Sequence, residues 1–123
     1  VMQADGWLRG RTAADIPRTA AGYEAVARAS LPASIVRNES AEALADFGRS
    51  HCARAATLLL VTQGFRLMSL PGEPIFCLRD DERVDIIGWL REREEGDLSE
   101  DGYRFRLAEL GVEDVDLGEV LTS

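Results

Sequence analysis

A chain of 123 residues, 46% hydrophobic and 29% charged, is long enough to bury a core without disulfide or metal staples, which argues against wholesale disorder and against a fibrous class. All 14 basic residues are arginine, so a Schiff-base lysine, a lysine general base and a GxxxxGK phosphate loop are excluded together. The net charge of −8 repels phosphate backbones, so direct nucleic-acid binding is not expected.

Residues 1–18 show no sustained period and carry Trp7 among Arg9, Arg11 and Arg18. They are read as an N-terminal arm that packs late or not at all, ahead of a single α+β domain over 19–123. A first helix is predicted over about 19–30, with Tyr23, Val26 and Ala27 on one side and Pro32 ending it. Residues 34–37 then read as a short strand or a bridging turn. A second helix over about 39–55 has Asn38 or Ser40 as its cap and Glu39 and Glu42 in its first turn. Its apolar face runs through Leu44, Phe47, Gly48, His51, Cys52 and Ala55.

Three short runs follow, Thr57–Thr62, Phe65–Leu70 and Ile75–Arg79, separated by Gln63-Gly64 and by Pro71-Gly72-Glu73-Pro74. This turn chemistry predicts a three-stranded antiparallel meander over about 57–79. The runs are apolar at both parities, so the sheet should be covered on both faces or join an interface. A long helix is predicted over about 81–95, capped by Asp80 or Asp81, with Val84, Ile86, Ile87, Trp89 and Leu90 making a wide apolar surface and Gly96 stopping it. Residues 103–107 alternate like a strand, yet Ser99 and Gly111 stand where the cap and terminator of a helix belong, and helix is preferred. The tail, 112–121, reads as a short docking helix.

The longest apolar run, Ala55 to Val61, falls far short of the roughly 20 residues that span a bilayer, and the N-terminus has no apolar signal core. A cytoplasmic protein with no membrane contact is expected. Cys52 and Cys77 suit reduced core thiols better than a secreted disulfide framework. Alanine-rich, lysine-free usage is that of GC-rich bacterial coding.

Chemistry-bearing patterns are few. In DLSEDGYRF, residues 97–105, the donors Asp97, Ser99 and Asp101 precede Gly102 with the spacing of positions 1, 3 and 5 of a calcium loop, and the stretch resembles an EF-hand loop to that extent. The twelfth position, where that family places a bidentate carboxylate, is Ala108, and the eighth is Arg104. The stretch is therefore read as an acidic turn, with Asp97, Ser99 and Asp101 as a weak calcium candidate. His51 with a cysteine or with carboxylates is the arrangement that suggests catalysis, but adjacent helical residues diverge by about 100°, and nothing in the sequence brings Cys77 near. GxGxxG, HExxH, CxxC and GxSxG are absent, and no catalytic residue, resident metal or cofactor is expected.

The charge is unevenly placed: residues 1–91 hold 11 acids and 11 arginines, whereas 92–123 hold 11 acids and three arginines. The expected function is a non-enzymatic interaction domain of the immunity-protein, inhibitor or chaperone kind, using this acidic C-terminal segment to meet a basic protein partner. Trp89, Glu94, Glu95, Asp97, Glu100 and Asp101 are the expected contact residues. The alternatives are a small enzyme built on His51 and a phage-type nucleic-acid mimic, and self-association is compatible with all three.

Overall fold

The computed structural model describes residues 6–122. Its architecture is α+β: helices surround one hydrophobic core, with a small antiparallel sheet along one side. Helix α1, Ala20–Ser30, starts where the Thr19 hydroxyl accepts the Gly22 N–H, and ends as the chain turns extended at Leu31 before Pro32. It buries Tyr23, Val26, Ala27 and Ser30 against α3, Ala41–Thr62, which Ser40 caps through the Ala43 N–H at 3.1 Å. Between them, residues 33–36 form the short helix α2 rather than a strand.

The run Thr57–Thr62, expected as the first strand, is the end of α3. The buried stripe of that helix continues without a break through Cys52, Ala55, Ala56, Leu59 and Leu60. The two threonines that speak for a strand are satisfied inside the helix: the Thr57 hydroxyl donates to Ala53 O at 2.8 Å and that of Thr62 to Leu59 O at 2.6 Å.

The three-stranded meander exists but lies further along the chain than 57–79. It consists of β1, Arg66–Met68, β2, Phe76–Arg79, and β3, Glu82–Val84, in the order β1-β2-β3. Leu67 pairs with Cys77 and Cys77 with Val84. Cys77 and Val84 are buried in the core. On the other parity, Arg83 covers Phe76, its guanidinium 3.7 Å from the ring centre.

The start of the helix expected over 81–95 is likewise corrected. Asp80 and Asp81 are not caps: they make the tight β2–β3 turn, with Asp80 at φ 52°. Helix α4 is Ile86–Glu95, capped by Asp85 through the Gly88 N–H at 2.8 Å and closed by Gly96 at φ 85°. Helix α5, Glu100–Leu110, settles the ambiguous stretch as helical, burying Tyr103 and Leu107. Helix α6, Leu117–Thr122, docks against α3 and the N-terminal segment.

From Gly6 onward the segment read as an arm is integral to the core, and residues 1–5 lie outside the described residues. Leu8, Ala13 and Ile16 are buried. Polar ties hold the segment in place: the Gly10 N–H donates to the Asp116 carboxylate at 3.0 Å, the Leu117 N–H to Arg11 O at 2.8 Å, and the Tyr103 hydroxyl to Ala13 O at 2.6 Å. Among the described residues no helix is long and apolar enough to cross a membrane.

Candidate functional site

The six residues expected on the partner face divide by what they touch. Glu94 accepts from Nε and Nη2 of Arg49 at 2.8 and 2.5 Å, a two-pronged pair joining α4 to α3. Glu100 does the same for Arg93, at 3.0 and 3.1 Å, while Arg93 itself is buried and also donates to Ile16 O at 3.0 Å. In each case hydrogen bonding from the guanidinium holds the glutamate carboxyl below its usual range against the opposing effect of burial. Two of the expected contact residues are thus internal staples. Trp89 is half-buried, with the Arg106 guanidinium 5.4 Å from its ring centre and Glu92 pairing that arginine at 3.1 Å.

Glu95, Asp97 and Asp101 are exposed around the α4–α5 turn. Asp101 sits in the first turn of α5, where the helix dipole favours an anion. Ser99 is the cap of that helix and accepts the Gly102 N–H at 3.0 Å. The stretch from Asp97 therefore runs directly into a helix rather than wrapping into a cation-binding loop. Among the described residues no three metal-ligating side chains come together.

The thiols are set for packing. Burial pushes Cys52 up to about 12, and burial followed by the Asp85 charge raises Cys77. Both stay protonated at neutral pH, whereas a nucleophile needs its thiolate. His51 is half-buried and stacks on Phe47 one turn earlier in α3, ring centres 5.7 Å apart.

Nucleic-acid mimicry needs a face of free carboxylates, and the C-terminal acids are divided instead. Glu92, Glu94 and Glu100 are paired with Arg106, Arg49 and Arg93, and Asp116 accepts the Gly10 and Gly118 N–H groups.

One exposed aromatic side chain escapes a reading by sequence order. Phe105 is 65% exposed, more than any other large apolar side chain among the described residues. Tyr103 and Leu107 take the buried side of α5, which leaves Phe105 outward with Asp101 one turn before it and Glu109 one turn after, both exposed. Arg104 lies on the flank of this stripe. The signal was available: with Ser99 and Gly111 as helix ends, the spacing of Tyr103, Leu107 and Leu110 fixes the inner face and puts Phe105 outside. Other exposed apolar side chains, Leu67, Leu70 and Ile75, belong to the β1–β2 hairpin, where Arg66 and Glu73 are their charged neighbours in sequence.

Comparison of the chain with protein-family models, curated proteins and solved structures finds no match.

Proposed function

We propose that this protein is a non-enzymatic interaction domain of the inhibitor, immunity-protein or chaperone kind, which meets a basic protein partner through the outer face of α5 and the α4–α5 turn. The observation that carries the reading is Phe105, an aromatic side chain 65% exposed between two exposed carboxylates. Isolated exposed apolar residues are ordinary, but an aromatic ring ringed by charge has the form of an interface anchor. In this reading the ring supplies the desolvated contact, and Glu95, Asp97, Asp101 and Glu109 steer a cationic surface toward it. Glu94 and Glu100 act indirectly, by holding α4 and α5 on the core.

The partner is sought by affinity capture from lysate of the source at low and moderate salt, and the captured protein is then purified and its binding kinetics measured. Asp101→Arg with Glu109→Arg should slow association about tenfold or more at low salt. Phe105→Ala should act mainly on dissociation, raising its rate by about tenfold or more. A basic partner whose rates ignore all three substitutions would remove the α5 face from the account.

A further inference from the structure

Where α4 lies on α3, the side chains leave a cleft of about 330 Å³, at the lower end of the range of small-molecule sites. Its apolar wall is Ala53, Ile87 and Leu90. Tyr23 of α1 lines it as well, although only 2% of that residue is exposed. The Arg49 guanidinium lies 5.6 Å from the Tyr23 ring centre.

The polar groups around this cavity are unequal in what they have left to offer. Glu94 is satisfied by both prongs of Arg49. Arg49 gives a third N–H to Asp46, which leaves two of the five N–H groups of a guanidinium without a described partner. Arg91 is exposed at the rim and forms no ion pair with a described residue. The Tyr23 hydroxyl makes no hydrogen bond to a described residue, and burial raises it to about 12, so it remains an O–H donor at any physiological pH. Its oxygen is not among the described polar atoms sealed from solvent without a partner, so a ligand in the cleft can accept from it in place of water. Against these donors stands one uncommitted carboxylate, Glu95, which is exposed and screened by water. Formal charge in the lining balances, two arginines against Glu94 and Glu95, so what the cleft offers over its hydrocarbon wall is unspent hydrogen-bond donors, with Arg91 the lining arginine that makes no ion pair to a described residue.

We propose that this cleft binds a small organic carboxylate with an apolar body, its carboxylate held by Tyr23, Arg49 and Arg91 and its hydrocarbon laid against Ala53, Ile87 and Leu90. None of these residues belongs to the outer face of α5; Glu95 borders both regions, but the cleft does not depend on Phe105, and a substitution there separates the two proposals.

The test is a titration of the isotope-labelled protein followed by NMR, with 4-methylpentanoate and phenylacetate as probes and their primary amides as controls. Each acid should saturate below about 10 mM, with shifts centred on α3 and α4, and each amide should bind about tenfold more weakly or not at all, because it forfeits the charge-assisted bonds. Tyr23→Phe keeps the buried ring and should weaken the acids by about tenfold; Arg91→Ala, a surface change, should do so to a similar degree. Phe105→Ala should leave the titration unchanged. Equal affinity for acid and amide, shifts that lie elsewhere, no saturation by either acid, or affinity indifferent to both Tyr23→Phe and Arg91→Ala would each overturn the proposal.

Discussion

Arg93 is the residue on which most of the polar interior depends. It is 2% exposed, yet each nitrogen of its planar fork donates a hydrogen bond, Nε and Nη2 to Glu100 and Nη1 to Ile16 O, and the guanidinium lies 4.0 Å from the Tyr103 ring centre. Those partners belong to the N-terminal segment and α5, so one α4 side chain joins three parts of the chain. Burying a charge is costly, and the pair survives because Glu100 keeps 35% of its side chain in water while every nitrogen of the arginine donates one hydrogen bond. Arginine is the basic residue throughout this sequence, but at this position the chemistry requires it, since a lysine point charge cannot serve two carboxylate oxygens and a carbonyl in one plane. Arg93→Ala should cost about 3–5 kcal/mol in urea denaturation, because it strands the Ile16 carbonyl and leaves a cavity. Arg93→Met, which fills the volume, should cost distinctly less, and Arg93→Lys should not recover wild-type stability. An alanine variant within about 1 kcal/mol of wild type would show that the staple is ornamental.

Helix pairing rests on small residues, and the closest approach is α1 on α3 at Gly48. A Cβ there would stand 2.0 Å from the Tyr23 carbonyl oxygen, a backbone atom that no side-chain rotation can move aside. Gly48→Ala gains up to about 1 kcal/mol of helix propensity, and must still lose overall, because the helices have to separate. A net destabilisation of about 2–3 kcal/mol is expected from overpacking of this kind, read as a fall in the urea midpoint with an unchanged slope; a stabilised variant would contradict the packing. The same elements show what sequence can carry. Helices α1 and α3 announce themselves through Thr19 and Ser40 and through i, i+3, i+4 spacing. The far end of α3 does not, because Leu58-Leu59-Leu60-Val61 is apolar at every period and the flanking threonines favour a strand. Only continuity decides it, since no breaker interrupts the stripe from Cys52 to Leu60 before Gln63-Gly64. Glu82–Val84 misleads in the opposite way: Asp80 and Asp81 imitate caps, and the operative cap is Asp85. Local signals there are ambiguous, and pairing with β2 selects the strand.

At the scale of the whole molecule, the acidic C-terminal segment is not a uniform surface but is partly spent on tying the fold together. Its uneven charge is legible in the sequence; the roles of individual carboxylates are not, because Glu94 finds Arg49 across 45 residues and no local pattern encodes so distant a contact. The consequence is a defined acid response. Glu94 and Glu100 both have carboxyl groups lowered from 4.5 in the folded state, chiefly by hydrogen bonds from Arg49 and Arg93. A carboxyl whose folded pKa lies below its unfolded value adds stability that is present above the unfolded value and is lost as pH falls through the folded one. Stability should therefore hold from neutral pH down to about 5 and decline below about 4.5. Glu94→Gln and Glu100→Gln should each cost about 1 kcal/mol at pH 7, a modest figure because both pairs are partly exposed. At pH 3 the unfolded chain already binds the protons that the folded carboxyls resist, so the gap between each variant and wild type should narrow. Urea denaturation of wild type and both variants at pH 7 and pH 3 measures this directly. A deficit as large at pH 3 as at pH 7 would mean that the glutamines disturb packing, and that the charge on these two residues is not what joins α4 and α5 to the core.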